Sequence, residues 1–132
     1  MNSAALLRER HDGDYGAADE WVEVCELDDI IPGTGVAALV RGEQIAIVRP
    51  YKTSEVFAIS NYDPFSEAYV LARGIVGDRG GVVKIASPIY KQNFALGTGE
   101  CLDDPEVRIP VYPARVRNGR VEVSIYRPEA AE

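Results

Sequence analysis

Histidine and cysteine are the scarcest chemistry in this 132-residue chain, which has one histidine, His11, and two cysteines, Cys25 and Cys101. Two thiols and one imidazole cannot close a Cys₂His₂ zinc site. They are equally too few for a Cys₄ or Cys₂His₂ iron–sulfur centre. A Ser–His–Asp or Cys–His catalytic set needs a histidine beside the nucleophile, and His11 lies in a polar leading segment. Two cysteines far apart in sequence do not make a disulfide-stapled secreted domain. Apolar runs are short, none near the roughly 20 residues of a membrane span, and Met1–Glu20 lacks the basic-then-apolar pattern of a secretory leader. The expectation is a cytoplasmic protein outside the membrane. Basic residues are outnumbered, 14 against 21, for a net charge of −7. That sign repels phosphate backbones, so nucleic acid is not an expected partner.

Long helical periodicity is absent too. Met1–Glu20 reads as an N-terminal tail, with one short helical turn around Ala4–Arg10, and Arg127–Glu132 as a C-terminal tail. The domain expected between them, 21–126, is all-β. Trp21–Cys25 alternates apolar and polar residues as a half-buried strand does. Val36–Val40 and Gln44–Val48 form a hairpin across Arg41-Gly42-Glu43. Glu55–Ile59 and Val82–Ala86 are further strands. Val111–Arg117 and Arg120–Ile125 flank Asn118-Gly119, a strong hairpin signal because both turn residues take φ > 0. About seven short strands separated by Gly and Pro turns predict an antiparallel sandwich or barrel. From Asn61 to Gly99 strands are sparse and Pro, Gly, Ser and Asn frequent, a long loop region of the kind that carries function. Within it, Phe65–Ala72 is expected to form one turn of helix, and Asp78-Arg79, among Gly77, Gly80 and Gly81, a turn.

Individual candidates for chemistry are weak. Asp28-Asp29 and Asp103-Asp104 read as turn and cap residues, not as a calcium loop. Cys25, on an alternating strand, reads as a small buried hydrophobe. Cys101 follows Gly97-Thr98-Gly99-Glu100, where its thiol can be exposed, but no basic neighbour lowers its pKa. Gly97-Thr98-Gly99 lacks the following helix that would aim amides at a phosphate. The residues alone describe a small β domain without catalytic apparatus.

The segment Gly97-Thr98-Gly99-Glu100-Cys101-Leu102-Asp103-Asp104-Pro105 and the later Val111-Tyr112-Pro113-Ala114-Arg115-Val116 with Gly119-Arg120-Val121 resemble the C-terminal third of Rieske-type ferredoxin domains. Leu27–Gly33, Val56–Ile59 and Arg73–Gly77 resemble earlier parts of the same family, so the resemblance spans about Trp21 to Ile125. It implies a Rieske-type antiparallel β sandwich whose Asn61–Gly99 region supplies two loops meeting at one end. In that family a C-x-H loop and a C-x-x-H loop hold the cluster through two thiolates and two imidazoles. Aligned by the flanking motifs, Asp63-Pro64-Phe65 stands at the first loop and Ser87-Pro88-Ile89-Tyr90 at the second. Asp63 and Ser87 replace the cysteines; Phe65 and Tyr90 replace the histidines. The resemblance thus implies a vestigial site, with no cofactor on this chain and no catalytic residue.

A free-standing Rieske-like domain of this pattern resembles the small-subunit family of assimilatory NAD(P)H nitrite reductases. That resemblance implies a non-catalytic subunit docking on a large subunit that carries flavin, an iron–sulfur cluster and sirohaem and reduces nitrite to ammonium. The alternative is a cluster-less Rieske-like binding module of another redox complex. An independent electron carrier is disfavoured, because nothing on the chain can be reduced. Tyr62, Phe65 and Tyr90 either fill the volume of the lost cluster or, with Tyr69, form the contact surface for the large subunit.

Overall fold

Ile45-Ala46-Ile47-Val48 is buried at every position, and its side chains divide between two hydrophobic cores. Ile45 and Ile47 join Val22, Val24, Cys25, Val121 and Val123; Ala46 and Val48 join Leu71, Ile85, Phe94 and Leu96. A strand covered on both faces needs apolar residues on both, which is why this stretch reads as a continuous run. It lies at the centre of the molecule, whose computed structural model describes residues 7–8 and 21–125. In chain order the strands are β1 Leu7–Arg8, β2 Val22–Glu26, β3 Thr34–Val40, β4 Glu43–Arg49, β5 Phe57–Ser60, β6 Tyr62–Asp63 and β7 Ala68–Tyr69. They continue with β8 Ile75–Arg79, β9 Val82–Ala86, β10 Asn93–Ala95, β11 Val111–Tyr112, β12 Ala114–Arg117 and β13 Arg120–Val123.

The central sheet runs β1-β3-β4-β5-β11. The sheet β12-β13-β2 packs on one face through the first core, and β10-β9-β8 on the other through the second. Neighbouring strands are antiparallel except β1, which pairs in parallel with β3. The all-β, antiparallel architecture expected from the sequence is therefore the observed one. Asn118 and Gly119 have φ of 54° and 76° between the paired Arg117 and Arg120, as a two-residue hairpin turn of the primed kind requires.

Several local expectations are corrected. Val111–Arg117 is not one strand. It changes sheets at Pro113, with β11 pairing with β5 and β12 with β13. Proline has no N–H for a ladder, so the break falls there. Phe65–Ala72 is not helical. Ala68–Tyr69 pairs with Tyr62–Asp63, and a single 3₁₀ turn follows at Leu71–Arg73. Buried Asn61 imposes this path, its backbone carbonyl accepting Leu71 N (3.1 Å) and its side-chain oxygen Ala72 N (2.7 Å). Asp78-Arg79 is not a turn but the end of β8; the chain reverses at Gly80-Gly81 instead. Strands β8 and β10 were illegible because one is largely exposed and the other is three residues long. Of the turn expected at Ala4–Arg10, only Leu7–Arg8 is described, and there the chain is extended. The remainder of both expected tails lies outside the described residues.

Candidate functional site

Asp63-Pro64-Phe65-Ser66-Glu67 and Ser87-Pro88-Ile89-Tyr90-Lys91 fold into two closely similar knuckles. Each begins with a polar residue followed by proline, and each ends on a residue of positive φ, Glu67 at 59° and Lys91 at 68°. In each, the backbone N–H of the fifth residue donates to the carbonyl of the first, Glu67 N to Asp63 O at 2.7 Å and Lys91 N to Ser87 O at 3.1 Å. In each, the first side chain accepts the amide two residues on, Phe65 N to Asp63 Oδ1 at 2.9 Å and Ile89 N to Ser87 Oγ at 3.3 Å. Asp and Ser favour such turns by capping their own backbone.

The knuckles meet side by side. Ser87 Oγ donates to Asp63 Oδ2 at 2.5 Å, and Ser66 Oγ donates to the same oxygen at 2.8 Å. Asp63 and Ser87 are wholly buried. The other two positions diverge. Phe65 is half-buried, its ring 6.1 Å from that of Phe94 in the second core, whereas Tyr90 is 61% exposed. Phe65 thus packs toward the second core and Tyr90 stands in solvent. Tyr62 is half-buried, with its ring 5.1 Å from that of Tyr69, which is 55% exposed. The sequence had not pointed to Ile89 and Ile75, 46% and 66% exposed. Ile89 lies within the second knuckle, and Ile75 pairs with Ala86 immediately before it. One end of the molecule therefore presents Tyr69, Ile75, Ile89 and Tyr90 to solvent.

The donors between the knuckles are a carboxylate and hydroxyls. Both cysteines are buried, Cys25 in the first core and Cys101 in the second, so the exposure envisaged for the Cys101 thiol does not occur. Among the described residues, no three His, Cys, Asp or Glu side chains group as metal ligands would. His11 lies outside those residues. Asp29 Oδ2 accepts Glu26 N and Asp104 Oδ1 accepts Glu106 N, both local turn bonds.

Asp103 braces Asn93, at the start of β10, just after the second knuckle. Its Oδ2 accepts Asn93 N (2.8 Å) and Asn93 Nδ2 (3.0 Å), and its Oδ1 accepts Arg79 Nη1 (3.3 Å). The hydrogen bonds from Asn93, helped by Arg79 and opposed by desolvation, hold this carboxyl below its ordinary value of 3.8. A depressed folded pKa contributes stability that is present above the unfolded value and lost as pH falls through the folded one. Asp103→Asn should therefore lower the urea midpoint at neutral pH. Its deficit should shrink as acid takes the wild type below the ordinary carboxylate range. A deficit independent of pH would show that the charge on Asp103 contributes nothing.

The sheet order, the paired knuckles and the two cores define a Rieske-type domain. The chain belongs to the Rieske-like 2Fe-2S domain family, whose family model matches residues 20–124. Within that family it falls with nitrite reductase subunits. It is 50% identical over 104 residues to the nitrite reductase (NADH) small subunit of Salmonella typhimurium, covering 79% of this chain and 96% of that one. A solution NMR structure of the NAD(P)H nitrite reductase small subunit from Erwinia carotovora superposes with a TM-score of 0.70 at 50% identity, covering 81% of this chain and 82% of that one. The NAD(P)H nitrite reductase large subunit of Klebsiella oxytoca is 40% identical over 103 residues, 78% of this chain but 11% of that longer one.

Proposed function

We propose that this chain is the non-catalytic small subunit of an assimilatory NAD(P)H-dependent nitrite reductase, carries no iron–sulfur cluster, and docks on the large flavin- and sirohaem-bearing subunit. The observation that carries the partnership is the Klebsiella relative. There, a counterpart of this chain occupies about a tenth of one polypeptide named as the large subunit. In Salmonella the counterpart is a separate small subunit. A module found both fused to an enzyme and free beside it works in contact with that enzyme.

The donor chemistry supports the cluster-less reading. Asp63, Phe65, Ser87 and Tyr90 stand as the vestigial cluster positions. A carboxylate, a serine hydroxyl and an exposed phenol replace soft thiolates and imidazoles, and Phe65 has no donor atom. Such a donor set does not fit the cluster. The exposed ring of Tyr69 and side chains of Ile75, Ile89 and Tyr90 supply an apolar surface at the end where the knuckles meet. Aromatic anchors of this kind concentrate binding energy at interfaces. Among the described residues no helix is long and apolar enough to cross a membrane. Two buried cysteines that form no disulfide suit a reducing, cytoplasmic compartment.

Co-expression tests the proposal. Large subunit purified with this chain should oxidise NAD(P)H in a nitrite-dependent manner, and activity should fall to a small fraction without it. The isolated chain, purified anaerobically, should be colourless and free of iron and acid-labile sulfide. Failure to bind the large subunit overturns the partnership, and stoichiometric iron and sulfide overturn the cluster-less reading.

A further inference from the structure

We propose that Asp63 and Ser87 form a clasp that locks the two knuckles together without metal, and that this clasp positions Ile89 and Tyr90 for docking; the docking part rests on the partnership proposed above. In a cluster-bearing Rieske domain the two loops are tied by their common ligation of iron and sulfur. Here the residues at the same two positions are tied to each other.

A continuous hydrogen-bond path crosses the gap. It runs from Ile89 N–H to Ser87 Oγ, from the Ser87 hydroxyl to Asp63 Oδ2, and from Phe65 N–H to Asp63 Oδ1, with Ser66 Oγ donating to Oδ2 as well. The Asp63 carboxyl thus receives three donors on two oxygens. Two come from its own knuckle and one from the other. Burying a carboxyl is costly unless it is hydrogen-bonded, so the network is the condition on which Asp63 can sit wholly buried. A short hydroxyl-to-carboxylate bond is among the stronger hydrogen bonds available to a protein.

The clasp has a mechanical consequence. Outside the clasp, each knuckle is a turn closed by local hydrogen bonds. Fixing such turns costs conformational entropy that few local contacts repay. Tyr90 is 61% exposed, so packing of its own ring holds it only weakly; its position follows from Ser87, three residues earlier. Serine at position 87 also answers to both roles, since its hydroxyl accepts from Ile89 and donates to Asp63. Asparagine at position 63 would place an amino group where donors already converge.

The test combines NMR hydrogen exchange at the Phe65 and Ile89 amides with affinity for the large subunit. Ser87→Ala should speed exchange at both amides roughly tenfold or more and weaken binding about tenfold. Tyr90→Ala should weaken binding roughly thirtyfold while leaving the two amides protected. If the clasp acts by presenting Tyr90, the double variant loses less affinity than the product of the single losses. A merely structural serine leaves the two losses multiplicative, which overturns the positioning role. Unchanged exchange in Ser87→Ala overturns the clasp itself, whatever the binding result. Exchange accelerated in the unmodified chain by a chelator shows that metal ties the knuckles, and overturns it too. If Tyr90→Ala and Ile89→Ala both bind normally, the docking surface fails and the positioning role with it, while exchange still decides whether the clasp exists. Asp63→Asn, carried through the same measurements, keeps the result decisive if Ser87→Ala does not fold.

Discussion

Phe94→Ala should cost about 3–5 kcal/mol in chemical denaturation, the range for removing a fully buried phenylalanine. Against a total stability of roughly 5–15 kcal/mol for a domain of this size, that is about a fifth or more of the margin. Phe94 is wholly buried on β10 and belongs to the second core with Ala46, Val48, Ile59, Leu71 and Ile85. These residues come from the central sheet, from β9 and from the 3₁₀ turn, so a cavity here loosens the seam between two sheets. The ring of Phe65 also packs on it, at an interplanar angle of 48°. The loss should therefore reach the knuckles as well as the global midpoint. Phe65→Ala is the internal comparison. Its ring is half-buried, so its cost should be the smaller of the two. Equal costs would mean that Phe94 is not the centre of this core.

Gly99→Ala should be comparably damaging, at about 3 kcal/mol or more, for a reason that has nothing to do with hydrophobicity. Gly99 has φ of +84°, and a Cβ placed on it would lie 2.0 Å from the carbonyl oxygen of Ile109. The obstacle is backbone and cannot rotate aside. It is also pinned, because Ile109 N donates to Gly99 O at 2.9 Å while Gly99 N donates to Ala95 O at 2.8 Å. Relief of the clash would break one of these bonds. Gly97, two residues earlier, has open space at its Cβ position, and Gly97→Ala should stay within about 0.5 kcal/mol of wild type. Thermal midpoints of the two variants measured together decide the matter. Similar midpoints would show that the close approach of Ile109 to Gly99 is not real.

The same glycine shows how a resemblance carries physical content. Thr98-Gly99-Glu100-Cys101 pointed to the Rieske family as a string of letters. The structure supplies the reasons for two of them: Gly99 because no Cβ fits, Cys101 because it is small and buried in the second core. A string does not reveal burial, and so Cys101 was open to being read as an exposed thiol.

The knuckles divide in the same manner. The family resemblance implied that Asp63 and Ser87 are counterparts in two similar loops, and the sequence adds that proline follows each of them. Nothing in the sequence said that the two side chains touch, since 24 residues separate them. Nor did it say that Phe65 and Tyr90, paired by the resemblance, part company. One packs on Phe94 while the other stands in solvent. Ile75 and Ile89 were not singled out because an isolated isoleucine looks the same whether it faces a core or water.

The amino-acid sequence was enough for the all-β class, the hairpin at Asn118-Gly119, the family, and the lack of cysteine and histidine in 63–67 and 87–91. These are local or countable properties: alternation, turn chemistry, motif order and composition. The sheet change at Pro113, the strands β8 and β10, the contact between Asp63 and Ser87, and the grouping of Tyr69, Ile75, Ile89 and Tyr90 at one end came from the fold. Each of these depends on which distant segment comes to lie alongside. That is set by burial against two cores at once, a property of the folded chain that no short stretch of it contains.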